Sequence, residues 1–177
     1  MTTATSRILE ELADREAIRE CLYRYARGVD RLDADMVLSA YWPDCVDKHL
    51  DFTGNAQEFV DWAFPLMGGG MDQTMHHITN VLMSIRGQQA DVEAYFYGIH
   101  RISTPDGGKM DVIGAGRYID KFEKRGDEWR VIRREVVTDW FRQYPDSADW
   151  SQGMLGMMIE PGGRRPDDAS YRDLDLV

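Results

Sequence analysis

The chain has 177 residues, of which 43% are hydrophobic and 29% charged, and its formal net charge is -10. A chain of this length forms a single domain whose core needs neither a disulfide nor a metal. The excess of acidic residues argues against nucleic acid or an anionic membrane as the main partner, because phosphate binding needs clustered Lys and Arg.

No apolar run approaches the roughly 18 residues that cross a bilayer. The N-terminus lacks the basic start and apolar core of a signal peptide. The two cysteines, Cys21 and Cys45, do not suggest a secreted disulfide scaffold. We therefore expect no membrane partner and a cytoplasmic location.

Three segments in the first part of the chain are predicted to be helices, because apolar residues recur at helical spacing: residues 6–30, 34–41 and 56–66. Ser6, Asp33 and Asn55 can cap their first turns. Residues 45–54 are ambiguous, with room for a short strand. Three successive glycines at 68–70 indicate a flexible joint.

The second half of the chain is predicted to form a meander of four long strands, over residues 73–86, 90–104, 109–124 and 128–142. Glycine-containing turns separate these strands. Helices followed by strands indicate the α+β class, with a cone-shaped, curved antiparallel sheet that the N-terminal helices cover. Residues 1–159 are therefore predicted to be a single domain. The polar tail of residues 160–177 is either loose or packed across a neighbouring subunit.

Alternation along the strands predicts two different faces of the sheet. One face combines small residues with a phenyl ring and an imidazole: Ala94, Phe96, Gly98 and His100, with Gly114, Gly116 and Tyr118 on the next strand. This composition indicates space left for a ligand. The other face carries Tyr95, Tyr97 and Ile99, an apolar patch that predicts a homo-oligomer, either a dimer or a trimer.

Histidines and acidic residues are the candidates for chemistry. His76 and His77 are adjacent, so one points inward, where it can meet His100. Two imidazoles with an Asp can act as general base and acid near neutral pH. The alternative is one exposed histidine and one satisfied in the core. By periodicity alone, Asp30 is an ordinary residue at a helix end and Tyr25 a packed core residue.

Metal binding is not expected. Asp47, His49 and Asp51 alternate as Asp-x-His-x-Asp, but a zinc site needs a further clustered ligand. A solvated strand face or loop is the preferred interpretation of these three residues. No phosphate loop, nucleophile elbow or Cys-x-x-Cys motif occurs in the sequence, so no cofactor is predicted either.

Several segments resemble the SnoaL-like branch of the nuclear-transport-factor-2-like superfamily: AIRECLYRYARGVD at 17–30, AYWPD at 40–44, TMHHITN at 74–80, YIDKFEK at 118–124 and WRVIRR at 129–134. This branch includes cofactor-free lyases such as scytalone dehydratase, bile-acid 7α-dehydratase, a dehydrochlorinase and a diarylpropane lyase. Their shared Asp–His dyad falls on Asp30 and His76. The resemblance also implies catalytic roles for Tyr25 and His100, and a role for Arg134.

The resemblance implies a cofactor-independent lyase that eliminates water or formaldehyde from a small apolar substrate, either aromatic, such as a lignin-type diarylpropane, or polycyclic. Six residues are predicted to bind this substrate: Tyr41, Trp42, Phe96, Arg101, Tyr118 and Arg134. Two other functions stay open. One is a non-catalytic protein that binds a hydrophobic ligand. The other is an assembly subunit like the β subunit of ring-hydroxylating dioxygenases.

Overall fold

Helices form the first part of the chain and long strands the second, in a computed structural model that describes residues 4–149, 151–157 and 162–176. The helices are α1 (Ala4–Arg31), α2 (Ala34–Ser39), α3 (Ala56–Gly70) and α4 (Ala169–Asp173), with a 3₁₀ turn at Leu155–Met157. The strands are β1 (Tyr41–His49), β2 (Phe52–Gly54), β3 (Met71–Arg86), β4 (Gln89–Ser103), β5 (Lys109–Arg125) and β6 (Glu128–Pro145). The predicted α+β class is confirmed.

The six strands of the described residues form a single open sheet with the order β2-β1-β6-β5-β4-β3. Neighbouring strands are antiparallel except for β1 and β6, which run parallel. Gly87, Gly107 and Gly126 adopt positive φ angles in the three hairpin turns, which other residues adopt only at a cost. Register shifts after Ile78 and after Ala115 bend the long strands, as β-bulges do.

The helices cover the concave face of this sheet, which carries His76, Gly98 and Tyr118. Helix α1 contributes Ile18, Leu22 and other apolar residues that are fully buried. Its first turns project beyond the core, because three apolar residues there are more than half exposed: Ile8, Leu9 and Leu12. The helical spacing of these three residues predicted the helix correctly. The buried face of α1, however, begins only about four turns into the helix, at Ile18.

Two sequence predictions about the elements need correction, and one open question is answered. The helix predicted over 34–41 ends at Ser39, because Tyr41 pairs with Val131 and begins β1. The ambiguous segment 45–54 does hold strand residues, as the sequence allowed: the end of β1 and all of β2. The predicted joint at 68–70 is the last turn of α3, where the buried side chain of Met67 holds the helix against the core.

The described part of the C-terminal segment packs against its own chain. Tyr171 donates a hydrogen bond of 2.7 Å to the carboxylate of Asp33. The guanidinium of Arg165 lies 2.6 Å from the same carboxylate, and Arg27 donates to the Tyr171 hydroxyl at 3.2 Å. These contacts join the segment to the loop after α1. The division into a domain of 1–159 and a tail of 160–177 stays a prediction.

Candidate active site

Asp30 and His76 form a close pair at the end of α1. The ring Nδ1 of His76 lies 2.7 Å from Asp30 Oδ1, and the main-chain N–H of His76 donates to Asp30 Oδ2 at 2.8 Å. A carboxylate can only accept, so the proton of a neutral imidazole lies on Nδ1 and Nε2 is left as a free base. The structure also decides between the adjacent histidines, because His76 faces the concave side and His77 the convex side.

The surroundings of Asp30 keep it ionised although it is buried, with an exposed fraction of 7%. Burial opposes the charge, but hydrogen bonds from His76 and Thr74 outweigh burial and lower the pKa of the Asp30 carboxyl. The Thr74 hydroxyl is itself fixed by Arg164, whose Nη1 lies 2.9 Å away and also donates to the carbonyl of Asp30. A negative charge is therefore maintained beside His76 at neutral pH.

Gly98 provides the space in which two imidazole rings meet. The rings of His76 and His100 are in edge contact, with centroids 5.2 Å apart. A Cβ atom at Gly98 would lie 3.1 Å from both rings. Gly114 pairs with Gly98 on the next strand, and no atom of the described residues outside its own neighbours lies within 4 Å of the position of its missing Cβ. Open space therefore adjoins the paired histidines.

His100 is a neutral imidazole at neutral pH. Burial lowers the pKa of His100 to about 4, and a proton on the neighbouring His76 would oppose a second charge there as well. Its Nδ1 lies 3.3 Å from the carbonyl oxygen of Val112, and a carbonyl can only accept, so Nδ1 carries the proton. The Nε2 atom of His100 is then a hydrogen-bond acceptor rather than a source of protons.

We predict that His100 makes the protein sensitive to acid. Its pKa of about 4 in the folded protein lies below the ordinary 6.5, so the unfolded chain takes up this proton first. The stabilisation is present above pH 6.5 and is lost as the pH falls towards 4. Between pH 7.5 and pH 5 the loss amounts to about 2 kcal/mol of unfolding free energy.

Urea unfolding of wild type and His100→Gln at these two pH values tests this prediction. Glutamine keeps a donor for the Val112 carbonyl but does not titrate. The other titrating groups, including Asp47 with its raised pKa, are common to both proteins and cancel in the difference. An equal loss of stability in both proteins would contradict the prediction.

Arg134 lies at the centre of an aromatic cage deep in the core. Its guanidinium carbon is 4.2 Å from the ring centroids of both Tyr25 and Tyr118. Its Nε and Nη2 atoms donate to the carboxylate of Asp120 at 2.8 Å and 2.6 Å, and Nη1 donates to the Tyr41 hydroxyl at 3.1 Å. Arg134 is fully buried, so its charge is paired within the protein.

Of the other residues predicted to bind the substrate, Phe96 lies in the core next to Tyr118, whereas Trp42 lies away from the Asp30–His76 pair. Phe96 stacks on Tyr118, with ring centroids 4.7 Å apart. A Cβ at Gly116 would lie 2.0 Å from the carbonyl oxygen of Val137 and 2.9 Å from the Phe96 ring, so this glycine leaves no free space. Trp42 faces away from the dyad and lies between Arg125 and Arg130.

Arg101 lies on the convex face, where its guanidinium pairs with Asp111 and Asp146. It also lines a cleft of about 220 Å³ that reaches Asp30, with Gly162 and Gly163 in its wall. The structure thus brings Asp30, His76 and His100 together, and clusters Tyr25, Tyr41, Phe96, Tyr118 and Arg134 in the adjoining core. It separates Trp42 from both groups and places Arg101 in the cleft that reaches Asp30, on the side away from His76 and His100.

Asp47 and His49 contradict the expectation of a solvated strand face. Asp47 is fully buried and accepts a hydrogen bond of 2.6 Å from the Tyr41 hydroxyl. His49 stacks on Phe59, with ring centroids 5.2 Å apart. Both residues share the inner face of β1 with the buried Cys45, whose position at the same parity was the available sequence signal. Only Asp51 lies exposed in a turn, as expected.

Within the described ranges, no group of three or more His, Cys, Asp or Glu side chains is arranged to hold a metal ion. Both cysteines are buried free thiols, and Cys21 contacts the carbonyl of Ala40. No helix of the described residues is long and apolar enough to cross a membrane.

The model of one protein family, the SnoaL-like domain, matches residues 10–135. The chain belongs to the SnoaL-like domain family. The matched range extends from α1 to β6 and includes both members of the Asp30–His76 pair. The family membership predicted from the sequence is confirmed.

Solved structures share the fold of this SnoaL-like domain at low sequence identity. A candidate scytalone dehydratase from Novosphingobium aromaticivorans is 22% identical, with a TM-score of 0.67 over 78% of this chain and 92% of that one. Hexachlorocyclohexane dehydrochlorinase LinA-type3 from Novosphingobium barchaimii is 17% identical, with a TM-score of 0.67 over 77% and 93%.

A protein of unknown function with a cystatin-like fold from Nostoc punctiforme is 16% identical, with a TM-score of 0.54 over 77% and 93%. At these identities the likeness of the SnoaL-like domain to solved structures establishes the fold alone. A comparison with curated proteins gives no match.

Proposed function

We propose that this SnoaL-like domain is a cofactor-independent lyase in which Asp30 and His76 eliminate water or formaldehyde from a small apolar substrate. The observation that carries the proposal is the double hydrogen bond from His76 to Asp30. It fixes the ring and leaves Nε2 as a base beside open space on the concave face. Two structural neighbours are named for eliminations, one of water and one of hydrogen chloride, which supports this reaction class.

Dehydration at this site would proceed by proton transfer through His76. Nε2 removes a proton from the carbon next to the one that bears the hydroxyl group. The C–H electron pair becomes the new C=C bond as the C–O bond breaks. The imidazolium, stabilised by Asp30, then returns its proton to the departing hydroxide, and water leaves. His76 thus serves first as the base and then as the acid. Each of these roles typically raises the reaction rate by about 10²–10⁴-fold.

Tyr25 and His100 complete the proposed catalytic set. The free Nε2 of His100 can accept a hydrogen bond from the substrate hydroxyl. Burial raises the pKa of the Tyr25 hydroxyl above its usual value, so Tyr25 keeps its proton at neutral pH and can act as a donor. Phe96 and Tyr118 offer an aromatic surface of the kind that suits an aromatic or polycyclic substrate.

Release of formaldehyde is the variant expected for a lignin-type 1,2-diarylpropane-1,3-diol. His76 removes the proton of the terminal hydroxyl, and the bond between the hydroxymethyl carbon and its neighbour breaks. Its electrons form the central C=C bond and expel the benzylic hydroxide, which takes the proton from His76. The products are a stilbene, formaldehyde and water.

A substrate panel tests the proposal directly. Purified protein, treated with a chelator, would be incubated with diarylpropanediols, hydroxylated naphthalenes and hydroxysteroids while alkene absorbance and formaldehyde are recorded. We expect turnover in wild type and its loss in His76→Ala. His77→Ala, altered at the adjacent position on the convex face, is the matched control and should keep the activity. Turnover that survives His76→Ala, or ligand binding without any turnover, would contradict the proposal.

The space at Gly98 gives a second test of the site geometry. A Cβ at Gly98 would lie 3.1 Å from Cδ2 of His76 and 3.1 Å from Cε1 of His100, so Gly98→Ala should displace both rings. A displacement of about 1 Å can cost about 10²-fold, so we expect the turnover number to fall on the order of tenfold. Gly69→Ala is the control, because a Cβ at this exposed position near the end of α3 meets no described atom within 4 Å. Equal activity of the two variants would contradict this prediction.

The proposal includes a homo-oligomer that forms through the convex face. Tyr95 and Trp140 are each about 40% exposed there, at 41% and 42%, and Trp140 makes an edge contact with Tyr97. Light scattering should give a mass of two or three times 20.4 kDa, and Trp140→Glu should reduce it. A monomeric wild type would contradict this part. The cytoplasmic location stays a prediction.

A further inference from the structure

Two unpaired polar atoms face each other inside the fold, apart from the Asp30–His76 pair. Asp47 Oδ1 and His49 Nδ1 are both sealed from solvent, and neither has a hydrogen-bond partner among the described residues. They lie 3.8 Å apart, just beyond hydrogen-bond distance. A buried polar group without a partner is destabilising, so two such atoms beside each other indicate a site rather than ordinary core.

Asp47 is held in place from its other side. Its Oδ2 accepts the hydrogen bond from the Tyr41 hydroxyl at 2.6 Å, and Tyr41 accepts one from Arg134. Arg134 pairs with Asp120 through its remaining donors. This chain of contacts fixes the Asp47 carboxyl and leaves Oδ1 directed towards His49. The guanidinium of Arg134 is the positive charge near two carboxyl groups, those of Asp120 and Asp47. A further hydrogen-bond donor or positive charge beside Asp47 would therefore be stabilising.

The free edge of His49 adjoins aromatic side chains. Nδ1 is sealed, yet the side chain keeps 20% of its exposure through its other atoms. The ring stacks on Phe59 and lies 6.4 Å from the Trp62 ring. Burial lowers the pKa of His49 to about 3, and the positive charge of Arg134 adds to this effect, so His49 is neutral at neutral pH. The Phe59 ring on which it stacks lies 6.2 Å from the ring of Tyr25, which belongs to the proposed catalytic set.

We propose that Asp47 and His49 form a second oriented pair, in which Asp47 accepts the Nδ1 proton of His49 and His49 Nε2 binds a hydroxyl group on an aromatic ring of the substrate. Closing the 3.8 Å gap by about 1 Å gives an ordinary hydrogen bond and leaves Nε2 as an acceptor. Phe59 and Trp62 would pack against the ring that carries this hydroxyl. The inference deepens the proposed function and rests on it, because it assigns the substrate class of the same site.

A pair of product-like ligands tests this assignment. The two probes are trans-4-hydroxystilbene, which can donate a hydrogen bond to His49, and trans-4-methoxystilbene, which cannot. Their dissociation constants would be measured by fluorescence titration at pH 7.5. We expect wild type to bind the hydroxyl compound about tenfold more tightly, the difference expected for a good hydrogen bond.

Two variants isolate the residues. His49→Phe keeps a ring against Phe59 and should reduce the affinity ratio to near one. Asp47→Asn should also lower the ratio, because its amide NH₂ can donate to His49 Nδ1 and leave Nε2 protonated. The methoxy compound reports on the integrity of the fold, so its affinity should stay within about threefold in both variants. His77→Phe on the convex face is the matched control and should keep the wild-type ratio.

Other outcomes overturn the inference. They are a wild-type ratio near one, a ratio that His49→Phe leaves unchanged, loss of affinity for both compounds in His49→Phe, or no binding of either compound. Failure of the proposed function can be told apart from failure of this inference. It would appear as an absence of turnover in a wild-type protein that still binds the hydroxyl compound about tenfold more tightly than the methoxy compound. Turnover that depends on His76 with a ratio near one would instead remove only the role of Asp47 and His49.

Discussion

Asp30→Asn is expected to reduce the turnover number of the elimination by about 10²–10⁴-fold while the fold stays intact. Asp30 accepts two hydrogen bonds from His76, one from the main-chain N–H and one from the ring. Asparagine offers a single side-chain oxygen acceptor. The main-chain N–H cannot change its role, so the amide oxygen should meet it and the amide NH₂ should face Nδ1.

The consequence is the wrong tautomer of His76. With a donor at Nδ1 the ring carries its proton on Nε2, where the proposed reaction needs a lone pair. The negative charge that stabilises the imidazolium is lost as well. Steady-state kinetics should therefore show a reduced turnover number with little change in KM, since the contacts that bind the substrate are unaltered.

Asp35→Asn provides the control for this experiment. Asp35 lies five residues further along the chain, in the first turn of α2, and its side chain is 85% exposed. Its replacement removes the same charge at a similar position in the molecule and should leave the turnover number within about twofold. An Asp30→Asn protein that retains nearly full activity would show that His76 does not depend on this carboxylate.

The fold could be predicted from the sequence because its signals are local. Glycine-containing turns separate four segments rich in strand formers, and the structure has hairpins at each of these turns. The errors fall where tertiary contacts override local preference. Tyr41 continues a helical pattern, yet pairing with β6 draws it into a strand, and the three glycines at 68–70 remain helical because Met67 is anchored in the core.

The candidate site was predictable only in part, because its residues are far apart in the sequence. Asp30 and His76 are 46 residues apart, and only the family resemblance pointed to both together. Strand alternation showed that one of His76 and His77 faces inward but not which one. That choice depends on the register between β3 and β4, where His76 pairs with Gly98.

Residue type misled the prediction where burial was unknown. Asp47 and His49 were assigned to a solvated strand face or loop, which is where most charged residues lie. The hydrogen-bond partner of Asp47 is Tyr41 on the same strand. Tyr41 in turn contacts Arg134 of β6, which only the parallel pairing of β1 with β6 brings near. Trp42 was assigned to the pocket as an aromatic residue, although it follows the inward-facing Tyr41 and must point the opposite way.

Arg134→Met is expected to lower the unfolding free energy by about 3–5 kcal/mol, the range for breaking a buried ion pair on one side. Asp120 would be left as a fully buried carboxylate without its two guanidinium hydrogen bonds. The Tyr41 hydroxyl would lose its donor, and the space between Tyr25 and Tyr118 would lose its cation. Urea denaturation at pH 7 measures the effect.

Arg133→Met is the matched control, because the adjacent side chain points outward and is 65% exposed. Its replacement should change the unfolding free energy by less than about 0.5 kcal/mol. The double variant Asp120→Asn/Arg134→Met should be less destabilised than the sum of the single variants, since removing both charges leaves no unpaired ion.

The family resemblance assigned Arg134 to the substrate, and the same experiment separates that role from a structural one. A buried ion pair predicts a large loss of stability, with a change in activity only as far as the protein is unfolded. A substrate contact predicts nearly normal stability with a raised KM. Each of the three guanidinium nitrogens of Arg134 donates a hydrogen bond within the protein: Nε and Nη2 to Asp120, and Nη1 to Tyr41. We therefore expect the loss of stability to dominate. An Arg134→Met protein as stable as wild type would overturn this interpretation.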